Sequence, residues 1–444
     1  MHEPDLLVVG GGPAGISAAL AAAAAGLSVL LCEQRSALGG AIHRQPAEGV
    51  PPVPAAPSLA GRWADLAARL AASRVRVLTR HAFLGIDSTD AVLVDDRAAG
   101  RVQVFRPRAV VLAGGAVERV RPRPGWHLPG VATAGGLQVM LKEGRAPEGR
   151  VLLAGSGPLL LALAAQMTEA GCPPVAVVEA GNPLARPVAA LGLLARPHLL
   201  ADTASLIMPV LRRRFAWRRG TELTAILPSG AALVACLRCA DGREERLVVD
   251  RIALHDGLRP NDFALPAMGR DGGGLLIERA GDVREILGAH AAEADGTGVG
   301  RRIAARLTGR PVPGEPPAVA RARRFQASLA RLFAPAAGGI ALADLPAETV
   351  LCRCENRTVG DLKGLLSGPD ALSPRELRLN GRFGMGACQG RFCMDHALAV
   401  VEALRPAAQP PDASAVGGRR WPLRPVCLSA LADAVPGNAQ TPPS

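Results

Sequence analysis

The 444-residue sequence predicts an α/β protein with two doubly wound parallel-sheet domains, followed by a small helical module that carries four cysteines. Three observations predict this. A strand, glycine turn, helix and second strand open the chain at DLLVVGGGPAGISAALAAAAAGLSVLLCEQ. An imperfect second copy of the turn stands at LLAGSGPLLLALAAQ. Two close cysteine pairs, in LCRCENRTVG and GMGACQGRFC, lie toward the end.

The first element is the most complete. Leu6 to Val9 is a short apolar run suited to a central parallel strand. Gly10, Gly12 and Gly15 then form G-x-G-x-x-G, with Pro13 and Ala14 inside the motif. The first glycine permits the tight turn, the second lets backbone approach a pyrophosphate, and the third lets helix and strand pack closely. An Ala-rich helix is expected to about Ala25, and its N-terminus offers unpaired N–H groups and a positive dipole end to phosphates. A second apolar run, Leu27 to Cys32, ends at Glu33, where a carboxylate can accept from ribose hydroxyls. Together these elements predict a Rossmann-like domain that binds a dinucleotide.

Three later stretches select FAD. Gly39 and Gly40 in SALGGAIHR follow Glu33, where flavoproteins with two dinucleotide domains make a close backbone turn. AVVLAGGA resembles their Ala-Thr-Gly strand end, with Gly114 in place of Thr and Gly115 beside it. ERAGDVREILGAH resembles their late Gly-Asp motif, with Gly281 and with Asp282 placed to hydrogen-bond the flavin ribitol.

The second turn keeps Gly155 and Gly157 but has Leu160 in the third position, which pushes helix from strand and narrows the phosphate approach. Glu179 ends the next strand and would repel a 2′-phosphate. Gly155, Gly157 and Glu179 are thus candidates for NAD or another adenine nucleotide, against a domain kept as scaffold. The expected organisation is a FAD domain over 1–118 and 249–312, the second nucleotide-type domain over 119–248, and a linker with a helix over 313–345. The cysteine module follows over 346–404, then a tail over 405–444 without fixed structure outside WPLRPVCL.

Cys352 and Cys354 are separated by 33 residues from the pair Cys388 and Cys393. Four thiolates in close pairs bind zinc or a 2Fe–2S cluster. Zinc modules favour C-x2-C knuckles, which are absent here, and a flavin neighbour gives an electron carrier a use. Both pairs are expected near helix N-termini, with a cap at Thr358, and Arg353 and Arg391 add positive charge. The remaining cysteines have bland readings: Cys32 and Cys172 are expected to be buried, and Cys236 and Cys239 to point to opposite faces of a strand. His43, His127, His255 and His290 show no carboxylate partner in the sequence and are read as structural.

The net charge of +12 does not indicate nucleic acid. The Arg residues are scattered, there is no Tyr, and the densest patch, RRRFAWRRG at 212–220, reads as a solvated helix end anchored by Phe215 and Trp217. A positive surface suits an acidic partner or an anionic substrate instead. The apolar stretch Leu6–Cys32 is interrupted by glycines and is not a membrane span, and no signal peptide is evident, so the expected location is the cytoplasm.

The chain resembles the flavin-containing alpha subunits of the opine oxidase, hydroxyproline dehydrogenase and hydrogen cyanide synthase family. The matching stretches are VVGGGPAG, GWHLPGV, LLAGSGPLLLALAAQ, DGLRPN, GDVREILGA and CRCE…GMGACQGRFC, spread over most of residues 6–400. The resemblance implies a pyridine nucleotide-disulfide oxidoreductase-like flavoprotein fused to a module akin to bacterioferritin-associated ferredoxin. It implies oxidation of a C–N bond in an amino or imino acid, together with an amino-acid-oxidase-like flavoprotein beta subunit and, as a further candidate, a small ferredoxin-like subunit. The acceptor, which is not identified, could tether the enzyme to the inner face of the membrane. By the same resemblance Gly10, Gly12, Gly15, Glu33 and Asp282 would bind FAD, and Cys352, Cys354, Cys388 and Cys393 the cluster. Ala41 stands where the family often has Gln, Thr is lost at 114, and only 21 residues separate Pro260 from Asp282. Two other readings are a self-contained NAD(P)H-dependent FAD reductase and a non-catalytic electron-relay subunit.

Overall fold

The computed structural model describes residues 3–53, 57–187, 215–269, 274–335, 341–368, 373–406 and 421–434. Two five-stranded parallel sheets dominate it. The first runs in the order Leu276–Arg279, Ala109–Leu112, Leu6–Val9, Val29–Cys32, Arg76–Leu78. Its central strands are buried on both faces, which is why they read as continuous apolar runs rather than alternating ones. The helix Pro13–Ala24 lies on this sheet, and the helix Ala289–Thr308 lies on that helix through two glycines. A side-chain carbon at Gly296 would stand 2.1 Å from the carbonyl oxygen of Ala14, and one at Gly300 2.3 Å from that of Ala18. Such backbone contact admits only glycine.

The second sheet runs in the order Ala216–Arg219, Ala176–Glu179, Val151–Gly155, Arg251–His255, Val131–Thr133. Each parallel sheet has a three-stranded antiparallel companion, His81–Ile86 to Arg101–Phe105 in one case and Thr221–Ser229 to Glu244–Val249 in the other. The strands Ala116–Glu118 and Leu258–Pro260 pair antiparallel where the chain passes out of the first sheet and later returns to it.

Three expectations need correction. Ala216–Arg219 is an edge strand paired with Ala176–Glu179, not a helix end. Its register in the sheet buries Phe215 and half-buries Trp217 under Arg219, so tertiary pairing overrides the local charge pattern. Residues 212–214 of that patch lie outside the described residues. The tail is structured over WPLRPVCL, as expected, and also over 429–434 beyond it, while 407–420 and 435–444 lie outside the described residues. There the Leu423 amide donates to the Leu84 carbonyl at 2.7 Å, and Trp421 fills the space over Gly85 at a bulge. A short helix, Leu428–Ala432, then places Ala430 against Leu84, Leu93 and Val102. Cys172 is half-buried rather than buried, whereas Cys32 is buried as expected.

The cysteine module has its own core of Leu351, Val359, Leu362, Leu377, Phe383, Met394 and Val400. Thr358 caps its helix Val359–Leu365 in a reciprocal capping box with Asp361, at the residue the sequence indicated. The module docks on the segment that carries GWHLPGV. The buried Trp126 indole donates to the Val350 carbonyl at 2.6 Å, and His396 Nε2 donates to the Val120 carbonyl at 2.8 Å. Burial holds the His396 imidazole neutral, with its pKa pushed down to about 4. Arg353 lies over the Trp126 ring at 5.2 Å.

Candidate functional site

At the first glycine turn the backbone is tight inside and open outside. A side-chain carbon at Gly15 would meet the Gly10 carbonyl oxygen at 1.9 Å, and one at Gly39 the His43 carbonyl oxygen at 2.1 Å. Gly12 and Gly40 face each other across the turn; a side-chain carbon at Gly12 would have only the Gly40 Cα near it, at 3.7 Å. Gly115, with φ +70°, faces open space. The amides of Gly12, Ala14 and Gly15 have no hydrogen-bond partner among the described residues, and Pro13 has no amide hydrogen to offer. This is a cradle for an anion at a helix N-terminus.

Glu33 is buried beside that turn. Its Oε2 accepts from the Gly11 amide at 2.8 Å and its Oε1 from the Arg35 amide at 2.9 Å, which orients the carboxylate and leaves lone pairs for further donors. Asp282 follows Gly281 in a single 3₁₀ turn. Its Oδ1 accepts from the amides of Leu287 and Gly288, while Oδ2 has no partner among the described residues. Burial outweighs those two amides and raises the Asp282 pKa. Gly114 is held at its carbonyl by the Asn261 amide group at 3.2 Å. The structure thus brings Gly10, Gly12, Gly15, Glu33, Gly39, Gly40, Gly114, Gly115 and Asp282 to the carboxyl ends of the strands of one sheet.

The sequence reading missed Lys142. This buried ammonium group, at the end of the helix Ala134–Lys142, reaches across to the carbonyls of Ala41 and Ile42 at 3.2 and 3.0 Å. Burial, reinforced by Arg44, pushes its pKa down to about 8. It anchors the very turn in which Ala41 departs from the family pattern.

The second turn, Gly155 to Gly157, sits at one side of a cavity of about 590 Å³. Glu179 is fully buried there and accepts from the amides of Gly157 and Gly181, each at 3.1 Å. Burial nevertheless pushes its pKa up to about 7. His255 faces the same turn, and its Nδ1 lies 2.8 Å from Oε1 of Glu118. Glu118 also accepts from the Gly135 amide. His255 therefore does have a carboxylate partner, but 137 residues away, where no local motif could show it.

The raised Glu179 pKa yields a prediction with a fixed sign. A carboxyl group whose folded pKa lies above its unfolded value stabilises the fold less as pH rises from about 4.5 through about 7. The melting temperature of the natural chain relative to Glu179→Gln should therefore fall across that window and level off above it. A shift from 4.5 to about 7 corresponds to about 3 kcal/mol at most. Paired calorimetry at several pH values reads it, and a difference that does not change with pH would contradict it.

The four cysteines stand as two pairs. Cys352 and Cys393 are both buried and their thiols perturb each other's ionisation; Cys354 and Cys388 do the same to each other, with Cys354 exposed and Cys388 partly so. Among the described residues no three His, Cys, Asp or Glu side chains converge on one metal-ion position. The Cys393 thiol, followed by the amides of Glu355, Gly384 and Cys354, lowers the Cys352 pKa to about 6; the same thiol contact raises that of Cys393. Gly386 is required by Cys354, whose Cβ would lie 2.2 Å from a side-chain carbon there. Arg391, beside the second pair, lies over the Phe263 ring at 5.9 Å. Cys236 and Cys239 lie unpaired on the strand Ala232–Cys239.

Known proteins resemble the chain along nearly its whole length. The family model described as pyridine nucleotide-disulphide oxidoreductase matches residues 4–284. The A subunit of opine oxidase from Agrobacterium tumefaciens (strain Ach5) is 32% identical, over 96% of this chain and 91% of that protein. The HcnB subunit of hydrogen cyanide synthase from Pseudomonas protegens is 30% identical, over 96% of this chain and 97% of that protein. The crystal structure of L-proline dehydrogenase from P.horikoshii superposes with a TM-score of 0.63 at 19% identity, over 97% of this chain and 79% of that one, a likeness of fold. Among the described residues no helix is long and apolar enough to cross a membrane. The chain belongs to the pyridine nucleotide-disulphide oxidoreductase family, as an FAD-dependent oxidoreductase related to HcnB and to the A subunits of opine oxidases.

Proposed function

We propose that the chain is the flavin- and 2Fe–2S-bearing subunit of a heteromeric oxidoreductase that oxidises a C–N bond in an amino or imino acid of the opine, D-hydroxyproline or glycine type. The observation that carries this reading is the presence in one chain of an open anion cradle and two thiol pairs, in a protein with full-length relatives of that kind. The residues fit both groups. The free amides of Gly12, Ala14 and Gly15 would hold the FAD pyrophosphate, with Pro13 shaping the helix start. Glu33 would accept from the ribose, Asp282 through Oδ2 from the ribitol, and the turns at Gly10, Gly39, Gly40, Gly114, Gly115 and Gly281 would let backbone come close.

Cys352, Cys354, Cys388 and Cys393 would hold the cluster. Two thiolates on each of two irons suit paired sulfurs better than one tetrahedral zinc does. The amides directed at Cys352 and Cys393 offset the charge of such a group. When bound, FAD supplies a two-electron acceptor and the cluster a one-electron carrier. The chain's own part is to bind, to orient through Lys142 and Asp282, and to bury the Cys352 side of the module.

The substrate is placed on an amino-acid-oxidase-like partner subunit, with a small ferredoxin-like subunit as a further companion. The location is placed in the cytoplasm, with the electron acceptor at the inner face of the membrane. Anaerobic reconstitution of the isolated chain tests the cofactors: flavin and iron–sulfur absorbance should both appear. Amine oxidation should appear only on co-expression with the partner. A chain that takes up neither cofactor removes the reading.

A further inference from the structure

The two glycine turns of this chain can be compared amide by amide. At positions two, three, five and six of the first turn, Gly11 donates to Glu33, whereas Gly12, Ala14 and Gly15 have no partner among the described residues. At the same positions of the second turn, Ser156 donates to the His255 carbonyl at 2.7 Å and Gly157 to Glu179 at 3.1 Å. Leu160 donates to the Gly157 carbonyl at 3.2 Å, which leaves Leu159 alone. One turn presents a cradle of three amides, and the other has spent nearly all of its amides on its own chain.

The neighbouring end of the second cleft is filled. In a doubly wound sheet a dinucleotide lays its ribose beside the acid that ends the second strand of the βαβ unit, here Glu179. Just past Glu179, Gly181 forms an isolated antiparallel bridge with Pro335. A side-chain carbon on Gly181 would lie 2.7 Å from the Phe333 carbonyl oxygen and 2.9 Å from that of Ala334. The Ser156 hydroxyl donates to the Phe333 carbonyl at 2.5 Å. Arg186 donates from one nitrogen to the carbonyls of Arg331 at 2.8 Å and Ala334 at 2.6 Å. The segment arrives there because the helix Pro317–Leu332 ends against the glycine turn.

We infer that Phe333–Pro335 is the resident occupant of the adenosine end of the second cleft, and that the chain admits no nicotinamide dinucleotide there. A chain segment takes the ribose position, Ser156 and Arg186 hold it by its carbonyls, and Glu179, fully buried behind the turn, presents no surface to a ribose. What remains is the cavity between the turn at Gly155 to Leu159, His255, Gln326 and the Phe333–Pro335 segment itself, and toward it the turn keeps only the Leu159 amide uncommitted among the described residues. The inference stands whether or not the substrate proposed above is correct.

The test uses the FAD-loaded full chain under anaerobic conditions. ADP-ribose and NADH are titrated to about 1 mM by calorimetry, and flavin absorbance is followed with NADH. No saturable binding and no flavin bleaching are expected; saturable binding of either ligand by the natural chain overturns the inference. Backbone hydrogen exchange is then compared with a Ser156→Ala, Arg186→Ala chain. Exchange at Phe333 and Ala334 should be faster in the variant by about tenfold, with the helix Pro13–Ala24 unchanged. Equal exchange in the two chains overturns the clamp. If the double variant fails to fold, the titration of the natural chain decides alone.

Discussion

Gly15→Val is expected to leave the chain without flavin. A side-chain carbon at Gly15 would stand 1.9 Å from the Gly10 carbonyl oxygen, 3.1 Å from its carbon and 3.3 Å from the Ala113 side chain. Two of these are backbone atoms of the strand end, so no rotamer relieves the contact and the helix Pro13–Ala24 must lift. Lifting it removes the amides of Gly12 and Ala14 from the positions where they converge. It also disturbs the helix Ala289–Thr308, whose Gly296 lies against Ala14. The expected loss in flavin affinity is at least about a hundredfold, since more than one charge-assisted hydrogen bond is lost at about 1.5–3 kcal/mol each. Absorbance near the flavin maximum, normalised to protein, reads it. Gly61→Ala is the control: nothing lies within 4 Å of a side-chain carbon there, and the change favours the helix Pro57–Ala71. Full flavin occupancy in Gly15→Val would remove the first turn from the proposed site.

Cys393→Ser is expected to abolish the iron–sulfur chromophore while leaving the flavin in place. Cys393 is 1% exposed and forms the inner pair with Cys352, so no water or neighbouring side chain can take its position. Serine keeps the size but is a poor thiolate substitute for iron. Iron content after anaerobic reconstitution should fall from about two per chain to a small fraction of that, and the low-temperature paramagnetic signal of the reduced protein should vanish. Cys427→Ser, at an exposed cysteine outside the module, should change neither. A Cys393→Ser chain with an intact chromophore would exclude the proposed ligand set.

Much of this was legible because parallel strands and glycine turns leave strong local traces. Leu6–Val9 and the start of the helix at Pro13 fall where the apolar run and the turn place them. Thr358 was legible for the same reason, since a capping box is a pattern four residues long. What could not be read depends on contacts between distant residues. Glu118 and His255 are 137 residues apart, and the Trp126–Val350 hydrogen bond spans 224. The Trp in GWHLPGV stands out as a motif, yet nothing local says that it holds the cysteine module. The strand at Ala216–Arg219 was misread because its pairing with Ala176–Glu179, and not its own charge pattern, decides its form. The consumption of the second turn's amides leaves a trace only in Leu160, where the glycine is missing.

The docking of the cysteine module has a consequence for the second domain. Trp126, Val120 and Val131 receive Val350, His396 and Arg353, while Arg259, on the return to the first sheet, pairs with Asp395. If the proposed flavin and cluster are both bound, the second domain is the bracket that sets the distance between them. Electron hopping slows steeply with separation, so the gauge of that bracket would matter whatever its own cleft holds. In that arrangement a change that lengthens or loosens the bracket slows electron transfer without touching either cofactor site.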